Sequence, residues 1–221
     1  WFMKSRGIPG KVTVLDPNPP TPAFERVFRE HFGDRISYQA QVRIKSLNPF
    51  ARTVETDFDD FRFDDAIIMP AQQAGDLAWQ AGLIGRDASG RPTGWAAVDP
   101  LRLHVPDDER IHVVGDALDR VSPLFGFYPK TGHLAASQGA IVAAAIAARH
   151  AGQASEVRLP EGSCHVLTNP DPEEAMRLDT RFRLRGDGVI AQTASQTRIV
   201  QPQGEDLAWA QAHFRDFLAS P

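Results

Sequence analysis

The spacing of hydrophobic and polar positions changes several times along the chain. In KVTVLDP (residues 11–17) a β-branched run stops at Asp16-Pro17, which predicts a short buried strand. The preceding WFMKSRGIPG reads as the last turns of a helix followed by a glycine turn, so helix, turn, strand and terminal Asp together make half of a βαβ unit. In PAFERVFREHFGDR, Phe24, Val27, Phe28 and Phe32 recur on one face and Gly33 closes the run, the pattern of an amphipathic helix. From Ile36 the period shortens to two. ISYQAQVRIKSLNPFARTVETDFDDFRFDDAIIMP alternates and breaks at Asn48-Pro49, predicting two or three antiparallel strands that lead into a buried strand at 66–69. AGDLAWQAGLIG then reads as a short helix ended by Gly82 or Gly85, and RDASGRPTGWAAVD as a turn-rich loop returning to an extended piece.

RIHVVGDA reads as a strand, and HLAASQGAIVAAAIAARHAG as a helix closed by Gly152 whose alanines permit close packing. Beyond Gly152 the pattern changes again. SCHVLTN, MRLDTRFRLRGDGVIAQ and ASQTRIVQP suit antiparallel strands with a turn at 186–188, and EDLAWAQAHFRDFLAS a final amphipathic helix. The expected class is therefore α/β passing into α+β, with a boundary near 152–158.

Composition removes several function classes. The 221 residues are 42% hydrophobic, enough to bury a core, and a net charge of −4 with Arg scattered among Asp and Glu supplies no field for nucleic acid. The longest apolar segment, 140–148, is far short of the roughly 20 residues that cross a bilayer. A single cysteine excludes an internal disulfide without identifying the compartment. His104, His112 and His133 lack ligand spacing, so no metal is expected. Asp57, Asp59, Asp60, Asp64 and Asp65 alternate with Phe, which suits a solvent-facing strand or hairpin better than a cation loop. The start, without an initiator Met or signal peptide, leads to the expectation that the chain is a piece of a longer protein.

The densest chemistry lies in VVGDALDRVSPLFGFYPKTGHLAASQG, residues 113–139. Gly115 at a strand end lets a ligand approach the backbone, and Asp116 can accept hydrogen bonds from sugar-alcohol hydroxyls. Tyr128, Pro129, Lys130, Thr131 and Gly132 lead into the alanine-rich helix, whose amino end would face the same tip with its positive partial charge. Lys130 beside it could stabilise negative charge on a reduced aromatic cofactor. The alternatives stay open: Asp116 capping a turn, and Lys130 as a solvated loop residue.

IHVVGDA…YPKTGHLAASQGAIVAAAIAA resembles the carboxyl-proximal FAD motif of flavoproteins with two dinucleotide-binding domains. The resemblance is to the flavoprotein subunit of flavocytochrome c sulfide dehydrogenase, within the pyridine nucleotide-disulfide oxidoreductase superfamily, and more loosely to sulfide:quinone oxidoreductases. KVTVLDPNP, IIMPAQQAGDLAWQAGL and GWAAVDP resemble successive segments of that subunit in the same order. It implies an incomplete Rossmann-like flavoprotein: part of a second, NAD-type domain with a β-meander (1–70), a return segment to the FAD-binding domain (71–152) and a carboxyl-terminal α+β domain (153–221). Asp116 would bond the FAD ribitol, and Tyr128 to Gly132 with the following helix would lie against the isoalloxazine. GSCHVL resembles the context of one member of the family's redox-active cysteine pair, so Cys164 would take electrons from a small sulfur substrate, with a cytochrome c subunit as acceptor in the periplasm. An aromatic from the family's last helix aligns with His213 or Phe214, and His133 and His165 would tune the flavin pocket.

The sequence also departs from the family. GWAAVD has alanines where some relatives have another cysteine, and no G-x-G-x-x-G occurs, so the adenosine-pyrophosphate half of the site is absent from this chain. Two further readings remain: a quinone-linked or other disulfide-reductase-like flavoprotein in which Cys164 is idle, and a non-catalytic interaction module that keeps the fold.

Overall fold

The computed structural model describes residues 1–19 and 22–218, with the side chains of Asp216 and Phe217 left aside. Among these residues, five α-helices and five small sheets make a mixed α+β chain. It divides into two compact units, one comprising Trp1–Pro70 with Leu167–Ala175 and the other Ala71–Val166 with Met176–Pro221.

The first unit opens with α1 (Phe2–Ser5), β1 (Val12–Asp16), α2 (Pro22–Phe32) and β2 (Ile36–Ala40). β1 and β2 pair in parallel, from Val12 opposite Ile36 to Asp16 opposite Ala40, with α2 as the crossover. This corrects the sequence reading, which placed the segment from Ile36 in an antiparallel meander. Alternation in ISYQA reports half-burial, and half-burial is compatible with either strand direction. α2 forms as expected: Val27 and Phe32 are buried, and the Phe28 ring lies 5.8 Å from Tyr38.

The meander itself is β3 (Ile44–Asn48), β4 (Thr53–Thr56) and β5 (Asp60–Arg62), paired antiparallel in that order. Residues 66–69 form no strand, and Ile67 is 97% exposed, so the expected buried strand there is also corrected. β1 is less buried than its β-branched run suggested, since Val12 is 44% exposed. A buried carboxylate organises the other side of the unit. Glu174, 3% exposed, accepts from Thr168 Oγ1 at 3.0 Å, lies 3.5 Å from Arg26 Nη2 and 3.3 Å from His31 Nε2, and so ties α2 to the segment Leu167–Ala175.

The second unit begins with α3 (Asp76–Gln80), which Gly82 ends at φ +70°, and continues into the hairpin β6 (Ile84–Arg86) and β7 (Pro92–Ala96). A second hairpin follows, β8 (His104–Val105) with β9 (Asp108–His112). The expected strand through Gly115 therefore stops at His112 and is antiparallel, leaving Val113 bonded to Leu103 O and Gly115–Ala117 as a single 3₁₀ turn. Among the described residues, parallel pairing is confined to β1 with β2 and an isolated bridge between Ala96 and Leu118.

α4 (Gly132–His150) ends where Gly152 adopts φ +68° and returns its N–H to Arg149 O. No helix among the described residues is long and apolar enough to cross a membrane. β10 (Glu161–Pro170), β11 (Glu173–Leu184) and β12 (Ile190–Val200) form a three-stranded sheet in that order, with the β11–β12 turn closed by Arg185 N to Val189 O. α5 (Glu205–Leu218) follows, and the expected end of that helix beyond 218 lies outside the described residues. Leu103, Leu118, Val121, Tyr128, Leu134, Val142, Phe182 and Ile190 form the core, so α4 is held against β11 and the chain on either side of the Gly115 turn.

Candidate functional site

The Gly115 turn sits on the first turns of α4. Gly115 has φ +71°, a left-handed conformation that suits glycine, and a Cβ there would stand 3.1 Å from Ala135 Cβ. Its N–H donates to Gln138 Oε1 at 2.6 Å. Gln138 is 1% exposed and was missed in the sequence reading, although a signal existed. It lies between Leu134 and Val142 on the buried face of α4, and a lone amide in an apolar stripe needs a partner.

Asp116 projects from the turn, exposed, and its carboxylate takes no hydrogen bond among the described residues. Thr131 caps α4 by its extended backbone without a side-chain bond, and the first carbonyl to receive an intrahelical N–H is that of Thr131, from Ala135. The N–H groups of Gly132, His133 and Leu134 thus lie at the open amino end of the helix. Gly115 thus lies against the first turns of α4 through Ala135 and Gln138.

Lys130 behaves differently from a free cation. Its ammonium turns back on the protein, donating to Asp116 O and to Leu118 O, the latter at 3.2 Å, and sits 3.6 Å above the Trp95 ring. Burial pulls its pKa below the ordinary lysine value, against the opposing pull of Asp116 and Asp119. Asp119 in turn accepts from Thr93 Oγ1 at 2.5 Å. Tyr128 points into the core, 4.7 Å from the Phe182 ring, with its hydroxyl unbonded and its pKa raised by burial.

Beside the start of α4 lies β10. A Cβ on Gly162 would meet His133 Nε2 at 3.1 Å and Leu134 Cδ1 at 3.4 Å, so the strand runs close along the helix at that point. Cys164 is two residues further on and half-buried; burial, and then Asp179, push its thiol pKa up. Trp209 of α5 donates to Ser163 O at 2.8 Å, and its ring lies 4.6 Å from His213, 5.9 Å from His165 and 6.4 Å from His133. Burial, with His213 adding repulsion, lowers the His133 pKa. Of the two residues that sequence comparison offered from the last helix, His213 joins this group while Phe214 is 65% exposed. Trp209 was missed; its spacing four before His213 is the signal that places both on one helix face.

No protein-family model matches the chain. Among solved structures it is similar to the crystal structure of the reduced Bacillus anthracis CoADR-RHD, at 16% identity and a TM-score of 0.48, over 95% of this chain and 43% of that one. It is similar also to the crystal structure of Fdr9, at 12% identity and a TM-score of 0.30, over 88% and 84% of the two chains. The chain thus spans less than half the length of the first of these structures. Likenesses this low leave the chemistry to the residues themselves.

Proposed function

We propose that the chain is the flavin-facing, carboxyl-terminal part of an FAD-dependent oxidoreductase of the sulfide dehydrogenase type. The observation that carries this reading is the Gly115–Asp116 turn packed on the first turns of α4, with the Asp116 side chain exposed. This donor and acceptor set fits the ribitol and ring end of FAD: a carboxylate for hydroxyls, and helix N–H groups for a ring carbonyl that gains negative charge. It offers nothing for the phosphates, consistent with the missing glycine-rich loop.

When bound, FAD supplies a two-electron acceptor. In this reading Asp116 anchors the hydroxyls and Gly115 keeps the turn free of a side chain. Lys130 braces the same turn from beneath through Asp116 O and Leu118 O. Trp209, His213 and His133 exclude water next to β10. The redox disulfide requires a second cysteine on another segment, because Cys164 has no partner in this sequence. Hydrosulfide would form a new S–S bond to one sulfur of that disulfide and expel the other as thiolate; a second hydrosulfide would take the added sulfur away as hydrodisulfide and leave a dithiol, for which FAD, when bound, would supply the two-electron oxidant that re-forms the disulfide, with a cytochrome c subunit in the periplasm as final acceptor.

The raised Cys164 pKa favours a second reading, in which that thiol is idle and the flavoprotein is quinone-linked or disulfide-reductase-like. Two variants of the full-length protein separate the two. Asp116→Ala should lower FAD affinity about tenfold to a hundredfold, the worth of hydrogen bonds to a charged group. Cys164→Ser should keep FAD but abolish bleaching of the flavin by sulfide; undiminished bleaching rejects the role of Cys164, and undiminished FAD affinity in the first variant rejects the flavin site.

A further inference from the structure

The last helix is only lightly held. No described residue of α5 is buried, none joins the hydrophobic core, and Leu207, Phe214 and Leu218 are exposed. Among the described side chains, Trp209 joins it to β10, through the indole N–H that donates to Ser163 O at 2.8 Å. Three imidazoles from three elements close on that ring: His213 of α5 at 4.6 Å, His165 of β10 at 5.9 Å and His133 of α4 at 6.4 Å. The His133 and His213 rings stand perpendicular, 6.0 Å apart. A helix with so little buried surface opens at far less cost than the unit that carries it, so a change in this cluster decides whether it stays docked.

The cluster suits uncharged rings. His165 Nδ1 is shielded from solvent and bonds to nothing, His133 Nε2 lies 3.4 Å from Thr131 Oγ1, and His213 Nδ1 lies 3.0 Å from Trp209 O. None of the three rings enters an ion pair among the described residues. The charges on the surrounding elements are engaged with other groups or make no bond to a ring. Asp179 of β11 is bonded by Arg177 at 2.8 Å, which with Arg181 nearby keeps its pKa below the ordinary carboxylate value. Glu205 of α5 takes the Gln203 N–H, and Lys130, ahead of α4, is turned onto Asp116 O and Leu118 O. Glu161 of β10 and Asp206 and Arg215 of α5 complete the set. Each imidazolium formed here adds an N–H that needs an acceptor and a charge that repels its neighbours. Burial, and then His213, lower the His133 pKa, so the stabilisation from its packing is complete above 6.5 and declines as pH falls below that value.

We propose that the three histidines around Trp209 make α5 a pH-sensitive latch: neutral rings keep it docked on β10 and the start of α4, and their protonation below about pH 6 releases it while the rest of the unit stays folded. Release frees the Ser163 carbonyl, adjacent to Cys164, and opens that part of β10 to solvent. The latch acts whether or not the Gly115 turn binds FAD.

Amide exchange of the whole chain at about pH 7.5 and about pH 5, corrected for intrinsic rates, tests it together with the ring-proton titration of His133. Protection of α5 should fall about tenfold or more at the lower pH, the factor that one unit of pKa shift carries, while α4 and β11 keep theirs. The midpoint of opening should coincide with that of the His133 titration. His133→Gln, His165→Gln and His213→Gln combined should remove the pH dependence, and Trp209→Ala should leave α5 unprotected at both pH values. Equal protection of α5 at both pH values, a loss shared by α4 and β11, an opening midpoint apart from that of His133, an undiminished pH response in the glutamine variant, or a protected α5 in Trp209→Ala would overturn the proposal.

Discussion

Replacing Gly115 by alanine tests whether the turn is shaped by its contact with α4. Two costs are expected. An L-residue held at φ +71° costs about 1–2 kcal/mol in backbone strain. The new Cβ would also meet Ala135 Cβ at 3.1 Å, closer than ordinary packing, and relieving it in a packed core adds about 1–2 kcal/mol. Gly115→Ala should therefore destabilise the chain by about 2–4 kcal/mol. Gly126 provides the control, because it has φ +76° and nothing within 4 Å of an added Cβ. Gly126→Ala should cost only the strain, about 1–2 kcal/mol. Urea unfolding followed by tryptophan fluorescence measures both, since Trp95 and Trp209 report on the unit that holds the turn. Adding Ala135→Gly to Gly115→Ala should recover the steric part, seen as a non-additive coupling in the double-mutant cycle. Equal costs at Gly115 and Gly126, with no coupling to residue 135, would refute a turn moulded by the helix.

Other consequences can be measured on the same chain. Gln138→Leu removes the acceptor of the Gly115 N–H and should cost about 1–3 kcal/mol in urea unfolding, with faster amide exchange at Gly115. Glu174→Ala leaves Arg26, His31 and Thr168 facing an empty buried position and should cost about 3–5 kcal/mol in the same assay, with Glu174→Gln losing less because it keeps an acceptor for Thr168. The alkylation rate of Cys164 plotted against pH should have its midpoint above 9.0, and Asp179→Asn should bring that midpoint down. Because the folded thiol holds its proton more tightly than the unfolded one, its contribution to stability is complete below 9.0 and is lost as pH rises through the folded value; a midpoint below 9.0 would show that neither burial nor Asp179 acts as described.

The long periodic elements were legible in the sequence because their signal repeats. α2, α4 and α5 each carry several turns of one pattern, and the strands of β10–β12 are long enough for a tight turn between them to stand out. Strand direction was not legible. ISYQA alternates because one side is half-buried, and only its pairing with β1 shows that the partner is parallel. The apolar residues at 66–69 were misread for a related reason: hydrophobicity predicts burial only if a neighbour exists to cover it, and Ile67 has none among the described residues. Within the site, the start of α4 was legible because its alanine-rich run begins directly after Thr131 and Gly132, whereas the strand expected to run into Gly115 stops at His112. The destination of the Lys130 side chain depended on Trp95, contributed by a different hairpin, and no local pattern encodes that encounter.

The position of Lys130 separates two kinds of positive charge at this site. An ammonium aimed at a ligand would follow the ligand's charge and would be expected to hold its proton firmly beside an anion. Here it is spent on two backbone oxygens and an indole face, and burial already draws its pKa down. What remains for a bound molecule is the fixed, proton-independent field of the α4 amino end, with its N–H groups at 132–134. Lys130 acts on that field indirectly, by holding the Gly115–Ala117 turn at the distance from the helix that the Ala135 contact and the Gln138 hydrogen bond also set. Three independent restraints on one turn are more than a surface loop needs, and they fix the backbone from which the exposed Asp116 side chain projects.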